Sequence, residues 1–178
     1  MSPKNSNRSP LPDILAPGLD IVFCGINPGL HSAAVGHHFA HPSNRFWKAL
    51  HQSGFTPYLL DPSRDRQLTR YGIGLTNLVA RPSAAAKELS NQELIQGRKD
   101  LETKIQRLQP QVLAFLGLGA YRKAYQQPGS TVGPQPDSIG SSRIWLLPNP
   151  SGLNAHYNIQ DLSDLFRQLR LSLESSQP

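Results

Sequence analysis

Short apolar runs alternate along the chain with stretches whose apolar residues recur every three or four positions, the pattern of strands interleaved with helices. Ile21-Val22-Phe23-Cys24 is β-branched and aromatic, follows the turn-forming Pro17-Gly18 and ends at Gly25, which predicts a parallel strand buried on both faces. Val112 to Leu116 and Arg143 to Leu147 read as strands too, and Leu75 to Val79, between Gly74 and Arg81-Pro82, is a weaker one. A helix is expected from about Ser43 to Gly54, with Phe46, Trp47 and Leu50 on one face. A second runs from Asp61-Pro62, an N-cap followed by proline in the first turn, to Gly72.

Ser90-Asn91-Gln92-Glu93 is a capping box, in which the Ser hydroxyl and the Glu carboxylate satisfy each other's end of the first turn. It opens a helix with the stripe Leu94, Ile95, Leu101, Ile105 and Leu108, closed by Gln109-Pro110. Gly117-Leu118-Gly119 leads into a helix carrying Tyr121 and Tyr125. The last helix, Asn158 to Leu173, turns Ile159, Leu162, Leu165, Phe166 and Leu169 inward. The order is roughly β-α-α-β-α-β-α-β-α, which predicts an α/β fold.

The 178 residues suit one domain, expected over 13–173, with a disordered leader at 1–12 and a frayed end at 174–178. No apolar run approaches the roughly 18 residues of a membrane helix, so no membrane partner is expected. Met1 to Pro10 has no apolar core and is not a secretory signal. A single cysteine, Cys24, excludes an internal disulfide and a Cys-based zinc site. Eighteen lysines and arginines against 12 acids give a net charge of +6, which favours a polyanionic partner without identifying one.

Ligands of an open parallel sheet sit outside the carboxyl ends of its strands, which directs attention to the loops after Gly25 and after Leu147. These are Gly25-Ile26-Asn27-Pro28-Gly29 and Pro148-Asn149-Pro150-Ser151-Gly152, each with an Asn-Pro step at a strand exit. Turn chemistry alone accounts for either loop. Together at one sheet edge they also suit a shared site, because an amide both donates and accepts and so can read a nucleobase edge or hold a water. His31, His37, His38 and His41 cluster nearby without a carboxylate or cysteine among them, a poor zinc set, and no metal is expected. Phe39 reads equally as a satellite core residue or a stacking platform for a base. Gly117-Leu118-Gly119 matches neither a dinucleotide fingerprint nor a Walker loop.

Four blocks in order carry a resemblance: Gly25 to Gly29, Phe39-Ala40-His41-Pro42-Ser43-Asn44-Arg45-Phe46-Trp47, Gly72 to Pro82, and Leu147 to Leu153. They resemble the mismatch-specific uracil-DNA glycosylases, the bacterial Mug and eukaryotic thymine-DNA glycosylase family, over about Ile14 to Leu173. The resemblance implies a three-layer α/β/α sandwich around a mostly parallel sheet of four or five strands. It implies hydrolysis of the N-glycosidic bond of uracil and related damaged pyrimidines opposite guanine in duplex DNA, by base flipping, as the first step of base excision repair. It further implies a monofunctional enzyme without cofactor, acting as a monomer on double-stranded DNA in a bacterial cytoplasm, at the nucleoid when bound. A non-catalytic nucleic-acid-binding module that retains the fold is the alternative.

By that resemblance Asn27 is the catalytic residue, and it can orient a water but not act as a general base, since an amide has no basic lone pair. Ile26, Gly29, Ser32, Phe39 and Asn77 match base-binding positions, with the Ile26 and Phe39 main chains facing the base and the Phe39 ring stacking on it. Asn149, Pro150, Ser151, Gly152, Leu153 and Asn154 match the loop that enters the duplex and contacts phosphates, with Leu153 as the wedge. The chain departs from the Mug pattern in carrying Asn77 in place of lysine, His37-His38 in place of Phe-Pro, and Asn154-Ala155 where an arginine is often near. These departures bear on substrate preference.

Overall fold

A strand that must be covered on both faces needs a continuous apolar run, and residues 21–24, 112–116 and 144–147 each supply one. In the computed structural model, which describes residues 11–175, β1 (Ile21–Gly25) and β3 (Val112–Leu116) are buried throughout. In β5 (Ser142–Leu147) Arg143 alone is exposed. With β2 (Ile73–Asn77) and β4 (Gly133–Ile139) they form one sheet in the order β2-β1-β3-β5-β4, parallel except for β4. The α/β class and the mostly parallel sheet are thus as expected. Residues 1–10, most of the expected leader, and 176–178 lie outside the described residues.

Alternation along β1 sends Ile21 and Phe23 to one face and Val22 and Cys24 to the other. On the first face Phe23 meets Phe46, Phe55 and Phe166 at centroid distances of 5.4, 5.5 and 5.6 Å, from α2 (Phe46–Gln52), the segment behind it and α5 (Ile159–Glu174). On the second face lie Leu94, Leu101 and Ile105 of α3 (Asn91–Leu108) and Tyr121 of α4 (Leu118–Ala124). The capping box at Ser90 forms as expected, and a second one joins Asn158 to Asp161 at the start of α5. No helix of the described residues is long and apolar enough to cross a membrane.

Several elements differ from the sequence expectation for identifiable reasons. β4, Gly-Pro-Gln-Pro-Asp-Ser-Ile, lacks an alternating pattern and carries two prolines, which only an edge strand tolerates, and its register shifts between Pro134 and Ser138. β2 starts at Ile73 and ends at Asn77, so Leu78 and Val79 leave the strand. Their amides instead donate to the carbonyls of Gly25 (2.8 Å) and Ile26 (2.9 Å), bracing the exit of β1. A short α1 (Leu30–Val35), started by Gly29 without a side-chain cap, has no signal in the sequence. α2 begins at Phe46 and not at Ser43, and the segment from Asp61 forms a 3-10 helix, Pro62–Tyr71, bent at Arg64. At the ends, the Pro12 carbonyl accepts from the His38 ring at 2.8 Å, and Glu174 closes α5, so these residues of the expected leader and frayed end take part in the fold.

Candidate functional site

The exits of β1, β2, β3 and β5 open into one groove of about 1450 Å³, lined among others by Asn27, Phe39, Asn77, Gly117, Asn149 and Leu153. Both asparagine loops therefore border the same space.

Asn27 follows β1, and its Nδ2 donates to the Arg81 carbonyl and to Ser83 Oγ, each at 2.8 Å. The Ser83 hydroxyl donates its own proton to the Ala85 carbonyl at 2.8 Å, so toward Asn27 it can only accept. That relation fixes which end of the amide is nitrogen. Both amide hydrogens are occupied, and Oδ1, without a protein partner among the described residues, remains as an acceptor at the groove. The receiving segment is itself held: Ser83 N donates to the Pro28 carbonyl at 3.1 Å, and Gly29 pairs with Ser83 in an isolated parallel bridge. Arg81 forks onto Glu93, with Nε–Oε1 2.7 Å and Nη2–Oε2 3.1 Å, and also reaches the Glu88 carbonyl. The Arg81 hydrogen bonds, followed by that from the Ser90 amide, pull the Glu93 carboxyl down to about 2. The capping box of α3 is thus tied through Arg81 to the amide of Asn27.

Gly25, the last residue of β1, lets two side chains close over it. A β-carbon there would stand 2.6 Å from Asn77 Oδ1 and 3.2 Å from the Phe39 ring. The Asn77 amide has no hydrogen-bond partner among the described residues, which leaves it available to a ligand. Phe39 sits at φ 52°, a left-handed conformation costing a side chain about 1–2 kcal/mol. Two contacts hold it there: Ala40 N donates to the buried Ser32 Oγ at 3.0 Å, and the Phe39 ring packs on Phe46 at 4.2 Å. Ser32 acts as a tie for the Phe39 loop and not as a helix cap.

The loop after β5 is built on its own polar groups. Asn149 Oδ1 accepts from Ser151 N at 3.0 Å, Ser151 Oγ from Leu153 N at 3.2 Å, and the Asn154 side chain donates to the Asn149 carbonyl at 3.1 Å. These side chains, expected at phosphates, shape the loop in this structure. Pro150 is buried, whereas Leu153 is 82% exposed. Gly152 lies against Ser43, whose Oγ would stand 2.6 Å from a β-carbon there.

The histidines have separate partners. His31 and His41 meet edge-on at 5.8 Å, and His41 Nδ1 accepts from Ser43 N. His37 pairs with the buried Asp65 at 3.2 Å. His38 is buried, its amide donates to Asp65, and burial pushes its pKa down. Among the described residues no three metal-ligating side chains converge. Sequence reasoning missed Ser83, Arg81, Glu93 and Arg45 as parts of the site. Arg45, Arg81 and the turn around Ser83 stand in or beside the quoted blocks, but contacts across more than fifty residues leave no local signal.

A sequence model described as the uracil DNA glycosylase superfamily matches residues 12–170. Among solved structures, the solution NMR structure of a candidate uracil DNA glycosylase from Methanosarcina acetivorans is similar in fold, with a TM-score of 0.56 and 17% sequence identity. The match covers 92% of this chain and 98% of that one.

Proposed function

The chain belongs to the uracil-DNA glycosylase superfamily, and we propose that it hydrolyses the N-glycosidic bond of uracil and related pyrimidines opposite guanine in duplex DNA, as a monofunctional, monomeric cytoplasmic enzyme. The observation that carries the reading is the locked amide of Asn27. With both hydrogens given to Arg81 and Ser83, its oxygen can accept a hydrogen from a water and aim that water at the sugar C1′.

An amide oxygen orients a water but does not deprotonate it, so the barrier must fall chiefly through stabilisation of the separating charges. Negative charge gathers on the departing uracil. The Asn77 amide and the main chain around Ile26 and Phe39 are the groups suited to meet its oxygens and N–H. The Phe39 ring, braced from behind by Phe46, is suited to stack on the extruded base. Extrusion costs a few kcal/mol of stacking and pairing, less at a mismatch, which favours uracil opposite guanine over a matched pair. Leu153, exposed on a loop bordering the same groove, is suited to fill the vacated space.

Incubation of the purified protein in chelator with duplexes carrying uracil opposite guanine or adenine, followed by alkaline cleavage of abasic sites, tests this reading. Cleavage at the guanine-opposed uracil first is expected. No cleavage in any duplex would favour a binding module, and loss of activity only in chelator would implicate the histidines as a metal site.

A further inference from the structure

Leu153 is 82% exposed and residues 148–158 contain no helix or strand, so beyond the loop's own hydrogen bonds its position must be fixed from a neighbouring element. The structure assigns that role to Arg45, the residue before α2: we infer that its guanidinium is the positioning group that holds the wedge loop in its duplex-ready form and locks it to the pocket wall. This rests on the reading of the loop as a duplex wedge.

Four carbonyls spread over the loop converge on this one side chain. Nε donates to the Pro150 carbonyl at 3.3 Å, Nη2 to those of Ser151 and Asn154 at 2.9 and 3.0 Å, and Nη1 to that of Tyr157. The Arg45 amide adds a further bond to Pro150 O at 3.0 Å. A planar fork of five donors can serve carbonyls in several directions at once, whereas a lysine ammonium presents a single point. Leu153 lies between two of the residues gripped. Phe46, next in the chain to Arg45, carries the Phe39 ring on its own at 4.2 Å, and Ser43 abuts Gly152. Pocket wall and wedge therefore hang from one segment of eight positions, 39–46.

This arrangement makes Arg45 unlike a phosphate-binding arginine, because its donors already face protein oxygens. A preformed loop also avoids the ordering cost that a mobile wedge would meet on entering the duplex.

The test combines Arg45→Lys, Arg45→Met and Gly152→Ala, the last displacing the loop from Ser43 while keeping Arg45. Hydrogen exchange of the free protein is expected to speed up at least about tenfold across 151–157 in all three, with β1 and α3 unchanged. Single-turnover excision from a uracil:guanine duplex is expected to fall about tenfold in Arg45→Met, and adding Leu153→Ala should cost less than about twofold beyond Leu153→Ala alone. The salt slope of duplex binding should stay as in the wild type. Unchanged exchange over 151–157, multiplicative losses in the double variant, or a slope reduced by about one, as for a lost phosphate contact, would each overturn the assignment. If the wild-type protein excises no uracil, the proposed function falls, and exchange with the salt slope still decides whether Arg45 holds the loop.

Discussion

The Nδ2 of Asn27 donates to Ser83 Oγ at 2.8 Å, and that hydroxyl donates onward to the Ala85 carbonyl at 2.8 Å. The direction of this relay leaves the amide oxygen as the group that meets the groove. Ser83→Ala removes one of the two acceptors that fix the amide. Excision is expected to slow by about tenfold, the equivalent of one lost hydrogen bond, while Ser83→Thr keeps a hydroxyl and most of the rate. Single-turnover kinetics with uracil:guanine duplex checks both.

Gly25→Ala places a methyl 2.6 Å from Asn77 Oδ1 and 3.2 Å from the Phe39 ring. Asn77 can swing aside, so the fold is expected to survive with a melting temperature near wild type. The pocket floor is displaced, and misplacement of this order costs about 100-fold in rate. Melting and excision measured on the same preparation separate the two effects.

Leu153→Ala deletes an exposed side chain and should leave thermal stability unchanged. Burying a leucine contributes about 1.5–3 kcal/mol, so if it inserts into the duplex, excision should fall by about tenfold or more. A fluorescent base analogue at the target position should report less extrusion.

Glu93, held down to about 2 by Arg81, gives a pH signature. A carboxylate whose folded pKa is depressed stabilises the fold fully above its ordinary value near 4.5, and that contribution fades as pH falls through about 2. Glu93→Gln is therefore expected to lower the melting temperature at pH 6 and to converge with wild type as the pH approaches 2. Thermal melts of both proteins across that range check the sign.

How far this was legible in the sequence depends on the range of the interactions. β1, β3 and β5 announce themselves because burial on both faces demands continuous apolar runs, and the Ser90–Glu93 box because it is a four-residue contact. The edge strand β4 is hidden, since its prolines and polar residues have no period. Asn27 and Leu153 stand in blocks whose resemblance pointed to them. Ser83 and Arg45 could not be read as their holders, because the partners are 56 and up to 112 residues away and only the sheet order brings them together.

The central claim, that the oriented Asn27 oxygen supplies the water for bond cleavage, is tested most directly by single-turnover excision from a uracil:guanine duplex with Asn27→Ala, alongside its duplex affinity. The account predicts excision lowered by roughly 100-fold or more, on the scale of an oriented catalytic group, with binding within about threefold of wild type. Near-wild-type excision by Asn27→Ala would contradict it.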